Sequence, residues 1–341
     1  MIIQLLMAKF IDKKTLQNKA TLPWIEKYRP EYINQVVSHE SILNILKNLI
    51  EKNNFPHLLM YGPPGSGKTT TIKACAREMF GENYPQYVLE LNGSSDRGIG
   101  IIRSLIDVFC QHEIDSMFPH RQKLVILDEA DSMTVDAQSA LRNVITTHTK
   151  TTRFCLICNY NTKIIESLIS RCTVCMFSPI PEHQHLQHLK NIVHYEKIKI
   201  NDETLLEAVK ISKGDMRNSI NVLQSLSMSY GNEHITIHML YDIIGQLEPQ
   251  IMDSIIARLL DPLLEFDDIV MQLRNMEISQ SLNIIDIITM TVNYIIENQT
   301  YDVETTTQML LEFEQLEHNM SIGSTSYIQL CAVASVIKNH S

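Results

Sequence analysis

The sequence is short of most features that would place it outside ordinary globular proteins. Gly and Pro number 11 each in 341 residues, which excludes a collagenous or low-complexity chain. No apolar run approaches the roughly 20 residues that a membrane-spanning helix needs. The opening MIIQLLMAKFI is apolar for only eleven residues and lacks a basic flank, so it reads as an N-terminal extension and not as a secretory leader. Seven cysteines lie scattered with no framework spacing, which argues against an oxidising compartment and for an intracellular protein. Basic charge is also in deficit, with a formal net charge of −10. That deficit is local: from Gly245 onward there are 14 acidic and 3 basic residues, and the preceding part is close to neutral. A near-neutral part can carry a basic face for phosphates, whereas an acidic end would be held away from nucleic acid.

At this length two or three domains are expected. HLLMY at 57–61, YVLEL at 87–91, KLVILDEA at 123–130, RFCLICN at 153–159 and CTVCMF from 172 are short apolar runs separated by stretches of helical spacing. Strands alternating with helices predict an α/β domain with a parallel sheet covered on both faces. After Pro179 and Pro181 the pattern is helical throughout, with a break at 245–249. The expected division is an extension at 1–20, an α/β core at 21–180, a small helical domain at 181–237 and an all-helical domain at 238–341.

The segment Gly62–Thr69 reads GPPGSGKT and fits the phosphate-binding pattern GxxxxGK[ST] in its expected setting between a strand and a helix. Gly62, Pro63, Pro64, Gly65, Ser66 and Gly67 would curl the backbone so that its N–H groups face phosphate, beside a helix N-terminus. Lys68 would neutralise β and γ oxygens and Thr69, followed by Thr70, would ligate Mg²⁺. LVILDEAD at 124–131 ends an apolar strand in two carboxylates at the edge where a parallel sheet binds ligands. Asp128 would join the Mg²⁺ shell, and Glu129 would orient the attacking water.

WIEKYRP (24–30), the phosphate loop, LELNGSSDRGIG (89–100), LVILDEAD, AQSALRNVI (137–145), CNYNTKII (158–165), SRC (170–172) and GDMRNSINVLQ (214–224) stand in the order and at about the spacings of replication factor C small subunits. The chain resembles that family, the AAA+ ATPase subunits of sliding-clamp loaders, over nearly its whole length. The resemblance implies an AAA+ P-loop domain with a parallel sheet, a small helical lid and a C-terminal all-helical collar. It implies ATP and Mg²⁺ as ligands. The implied partners are the other subunits of a pentameric ring with a large subunit, a PCNA-like clamp and primer-template DNA bound without regard to sequence, with no membrane. The place of action would be the nucleus in a cellular eukaryote, and otherwise the cytoplasm or a viral replication site.

By the same resemblance Asn159 matches the sensor of γ-phosphate or attacking water, Arg217 the second sensor on the lid, and Arg171 the finger inserted into a neighbour's site. A guanidinium suits that role because it spreads charge over several donors. From spacing alone Arg171 reads as a surface ion pair. Ile25 and Val37 match positions lining an adenine pocket, and each reads equally as core. Arg97 and Arg103 match positions facing duplex phosphates, and each reads equally as a solvated arginine. Asn143 and Thr146 depart from the family's usual arginine and glutamate, while Arg142 is kept. Two rival functions share this chemistry: a checkpoint-type loader or another AAA+ DNA motor, and a ring member that binds nucleotide without hydrolysing it.

Two patterns are set aside. Cys155, Cys158, Cys172 and Cys175 form CxxC, thirteen residues, CxxC, a zinc-like spacing. On buried strands positions i and i+3 face opposite ways, so neither pair should chelate. The histidine run EHQHLQH at 182–188 is expected on an exposed helix face with no metal.

Overall fold

A computed structural model describes residues 22–94, 99–111, 122–231, 233–246, 248–261, 263–280, 284–298, 301–323 and 326–340. The chain divides into two compact units, one through His234 and one from Ile235. Each of the predicted apolar runs in the first unit is a strand: β1 (Leu58–Tyr61), β2 (Val88–Asn92), β3 (Lys123–Asp128), β4 (Thr152–Cys158) and β5 (Thr173–Met176). They form one sheet in the order β2-β3-β4-β1-β5, and every pairing is parallel.

Alternation along the strands splits their side chains between two cores. Leu58, Met60, Leu124, Ile126, Cys155 and Ile157 pack with Leu43 and Leu46 of the helix Glu40–Glu51 and with Ile72, Cys75 and Phe80 of the helix Lys68–Phe80. Leu59, Val125, Leu127, Phe154 and Leu156 pack on the other face with Ile106, Leu141, Val144 and Leu168, from the helices Ile99–Gln111, Val135–His148 and Glu166–Ile169. The sheet is therefore covered on both sides. The same alternation separates the cysteines: Cys155 and Cys175 lie with the first core, Cys158 and Cys172 with the second. Each CxxC pair is split across the sheet, and burial raises the thiols, Cys158 to about 12 and Cys172 to about 11.

The lid helices Glu182–Glu196, Asp202–Ile211 and Met216–Tyr230 complete the first unit. The histidine run opening the first of them is not an exposed face. His183 is exposed, but His185 is fully buried and its Nε2 lies 2.8 Å from Ser219 Oγ, joining two lid helices. A helix of 3.6 residues per turn cannot keep alternating positions on one side, so the run straddles core and surface.

The second unit is helical over its described residues. Its core is built from Ile269, Leu273, Ile287, Ile288, Phe313, Val333 and Ile337, among others. The helix Ser326–His340 packs against both Phe266–Gln280 and Val303–Ile322. Lys338 Nζ donates to the Leu264 carbonyl at 2.7 Å. No helix among the described residues is long and apolar enough to cross a membrane.

His57, just before β1, is buried, and its Nδ1 accepts the Phe154 N–H at 3.2 Å. Burial pushes its pKa down to about 4, with a smaller contribution from Arg153; burial does the same to His185. Both rings gain protons in the unfolded chain before the folded one, so stability is full above about pH 6.5 and falls as pH drops toward 4. Urea unfolding at pH 7 and pH 5 should show this loss, and His57→Asn, which keeps an acceptor for the Phe154 N–H, should reduce it.

Candidate nucleotide site

β1, β4 and β3 are adjacent, so the chain leaving their carboxyl ends meets at one edge. From β1 comes the glycine-rich loop. Gly62 has φ +149°, and a Cβ there would lie 2.0 Å from the Phe177 carbonyl oxygen; the loop can leave the sheet this closely only without a side chain. Gly65 has φ +67°, and a Cβ there would lie 1.8 Å from Asp215 Oδ1 of the lid. Thr71 Oγ1 donates to the Gly67 carbonyl at 2.9 Å, securing the first turn of the helix Lys68–Phe80.

Lys68 is buried. Its Nζ donates to the carbonyls of Gly62 at 2.7 Å and Pro63 at 2.8 Å and to Asn159 Oδ1 at 3.1 Å. Burial lowers its pKa, opposed by the Asp128 carboxylate. Thr69 Oγ1 donates to Asp128 Oδ2 at 2.9 Å, so a hydroxyl and a carboxylate stand together as hard oxygen donors of the kind that suit Mg²⁺. Glu129 follows in a left-handed conformation, φ +53°, with its N–H on Asp128 Oδ1 at 3.0 Å. That turn directs it out of the strand and into the cleft, where it is exposed. Asn159 directly follows β4, and its N–H donates to Asp131 Oδ2 at 3.1 Å. Asp131 thereby ties the β3 and β4 ends together, a role that nothing in its place in LVILDEAD distinguished from a solvated acid.

A cleft of about 190 Å³ opens between this edge and the lid. Pro64 through Thr70, Asp128, Glu129, Asn159, Ile25, Val37 and Arg217 line it, so these predicted residues are brought together. Gly62 and Pro63 do not line the cleft and serve as carbonyl partners of Lys68. Arg171 is elsewhere: it is exposed, and its Nη1 donates to the Ser167 carbonyl at 2.7 Å. Arg97 lies outside the described residues, and Arg103 is placed only by its backbone in the helix Ile99–Gln111. Tyr28, Arg29, Pro30, Val36, Ile180, His188, Met216 and Ile220 also line the cleft and were not singled out by sequence. Tyr28, Arg29 and Pro30 belong to the quoted WIEKYRP block, which was their available signal. His188 had none, since it falls in the run assigned to the surface.

Three family models match the chain in succession. They are the ATPase family associated with various cellular activities (AAA) at residues 58–180, the RCF1/5-like AAA+ ATPase lid domain at 187–228 and the replication factor C C-terminal domain at 247–336. Probable replication factor C subunit 5 of Dictyostelium discoideum is 39% identical over 94% of this chain and 90% of its own length. The chain belongs to the replication factor C family of AAA+ clamp-loader subunits. Replication factor C subunit 5 of Homo sapiens is 39% identical over 93% of this chain and 92% of its own, and replication factor C subunit 3 of Saccharomyces cerevisiae is 36% identical over 94% of each. Among solved structures, a single-substitution variant of Thermotoga maritima RuvB matches 80% of this chain and 91% of its own at a TM-score of 0.52 and 15% identity, a likeness of fold. Family membership brings an ATPase domain and nucleotide binding.

The family departures sit on an exposed surface. Asn143 and Thr146 are both exposed; Asn143 Oδ1 accepts from Arg142 Nη2 at 3.3 Å, and Thr146 Oγ1 donates to the Arg142 carbonyl at 2.9 Å.

Gly65→Ala should be damaging for two reasons. A left-handed alanine costs about 1–2 kcal/mol, and its methyl would collide with the Asp215 carboxylate. Calorimetric titration with ATP should show a large loss of affinity in Gly65→Ala. In Gly65→Ala/Asp215→Ala the loss should be smaller than the sum of the two single effects, because the second change removes the collision.

Proposed function

We propose that the chain binds ATP with Mg²⁺ in this cleft and hydrolyses it within a heteromeric ring that opens a PCNA-like clamp and places it on primer-template DNA. The observation that carries the reading is the convergence on one cleft of Lys68, the Thr69–Asp128 pair, Glu129, Asn159 and the lid arginine Arg217. Lys68 would exchange its loop carbonyls for β and γ oxygens. Thr69 and Asp128 would hold Mg²⁺, which supplies charge neutralisation on the phosphates. Glu129 would accept a proton from the attacking water, with Asn159 holding that water or the γ-phosphate. Arg217 would bring the lid against the γ-phosphate, so that lid position differs between ATP and ADP states. Such differential contact is the free-energy source that a switch requires.

Arg171, turned to solvent and absent from this chain's own cleft, would complete the site of a neighbouring subunit. This chain's site would in turn take an arginine from another neighbour. The ring would be pentameric and include a large subunit. Arg97 and Arg103 would contact DNA phosphates without reading bases, and the acidic C-terminal part would stand away from the duplex. A nuclear site of action follows from this role in a eukaryotic cell.

The test is ATP hydrolysis by the chain with its co-purifying partners, with and without primed DNA and a sliding clamp. Stimulation by the two together is expected. Glu129→Gln should abolish this subunit's share of turnover while retaining ATP binding. Arg171→Ala should slow the site it completes by about a thousandfold. An assembled, ATP-binding ring that responds to neither DNA nor clamp would overturn the proposal.

A further inference from the structure

One wall of the cleft belongs to neither the phosphate loop nor the sheet. The short helix Trp24–Lys27 and the following Tyr28 lie on the lid, and they are fastened there by three polar contacts. Trp24 N–H donates to Gln224 Oε1 at 2.9 Å, on the helix Met216–Tyr230. Lys27 Nζ pairs with Glu196 Oε1 at 2.5 Å, at the last residue of the helix Glu182–Glu196. The Tyr28 hydroxyl donates to that same Glu196 oxygen. The contacts are sheltered: the Glu196 side chain is 19% exposed and that of Lys27 28%, and the buried Trp24 ring meets the Tyr28 ring edge-on at 6.3 Å.

This fastened segment also faces the cleft. Ile25 and Tyr28 line the cleft with Val36, Val37 and Ile180, a largely apolar set beside Arg29. Such a set suits a flat heterocycle. Glu196 itself is not among the residues lining the cleft.

We infer that Glu196 is a positioning residue for the nucleoside end of the ligand: by holding Lys27 and Tyr28 on one carboxylate oxygen, it fixes the wall formed by Ile25 and Tyr28 to the lid. Packing of the base against that wall then orders segment 24–28 and the lid as one piece, independently of the γ-phosphate contact of Arg217. The inference rests on the reading of the cleft as a nucleotide site. Removing the carboxylate leaves an ammonium and a phenol without their shared acceptor, and of the three polar fastenings only Trp24 N–H to Gln224 is left.

Amide hydrogen exchange of the full chain with and without saturating ATP separates the possibilities. In the wild type, ATP should slow exchange both in the phosphate loop and in Trp24–Arg29. In Glu196→Ala, ATP affinity should fall about tenfold, the cost of one charge-assisted contact. Saturating ATP should still protect the phosphate loop but no longer Trp24–Arg29. Glu196→Gln keeps an acceptor for the Tyr28 hydroxyl and should recover part of that protection. Glu196→Gln and Tyr28→Phe carry the comparison if Glu196→Ala does not fold. Protection of Trp24–Arg29 surviving in Glu196→Ala, or vanishing together with that of the loop, would overturn the inference. ATP protecting neither segment in the wild type would overturn the nucleotide reading itself, and this inference with it.

Discussion

Parallel pairing of β3, β4 and β1 puts three chain reversals side by side at one edge of the sheet, and each reversal carries a different chemical capacity. A glycine-rich turn leaves β1, paired acids leave β3 and an amide leaves β4. Antiparallel pairing of any one of these strands would send its reversal to the opposite edge. The strands can be short because both faces are covered, and the period-two alternation of Leu58, Leu59 and Met60 between two cores fixes their register. A slip of one residue would exchange the two faces and move Asp128 and Asn159 away from Lys68 together.

Lys68 is an ammonium taken out of water, and such a group must be compensated. Two loop carbonyls and Asn159 provide that compensation. The site is thus self-satisfied, and a phosphate competes against those three acceptors. The backbone N–H of Asn159 is connected through Asp131 to the turn that follows β3 and holds Glu129.

Much of this was legible in the residues. The apolar runs stand as parallel strands because their length, bounding turns and alternation with helical stretches all agree. The phosphate loop and the Asp128–Glu129 pair could be assigned to one edge on the motif and on the parallel sheet that alternating strands and helices imply. What could not be read depends on contacts between distant segments. His188 and Glu196 sit in a helix whose histidines suggested only a wet surface, and the partners of Glu196 stand 169 and 168 positions away in the chain. Tyr28 was visible as part of a sequence block but not as a cleft wall. Arg171 reads as an ordinary surface arginine because its exposure in one chain is that of any such residue, and the role proposed for it rests on resemblance. The cysteine pattern was resolved by a physical rule, the opposite projection of strand positions i and i+3, which the two cores reproduce.

Asp215 accepts the N–H groups of Arg217 and Asn218 at 2.9 and 3.2 Å and leaves no room for a methyl on Gly65. The cap of a helix and the floor of a phosphate loop are therefore in contact at one carboxylate. That contact is where the lid helix would pivot if the lid moved against the loop. The helix it caps has 15 residues, about 22 Å at 1.5 Å per residue. A tilt of about 5° at the loop end would carry the far end through about 2 Å over that length, so a small change of angle at the Asp215 carboxylate would become an atomic-scale shift at Tyr230.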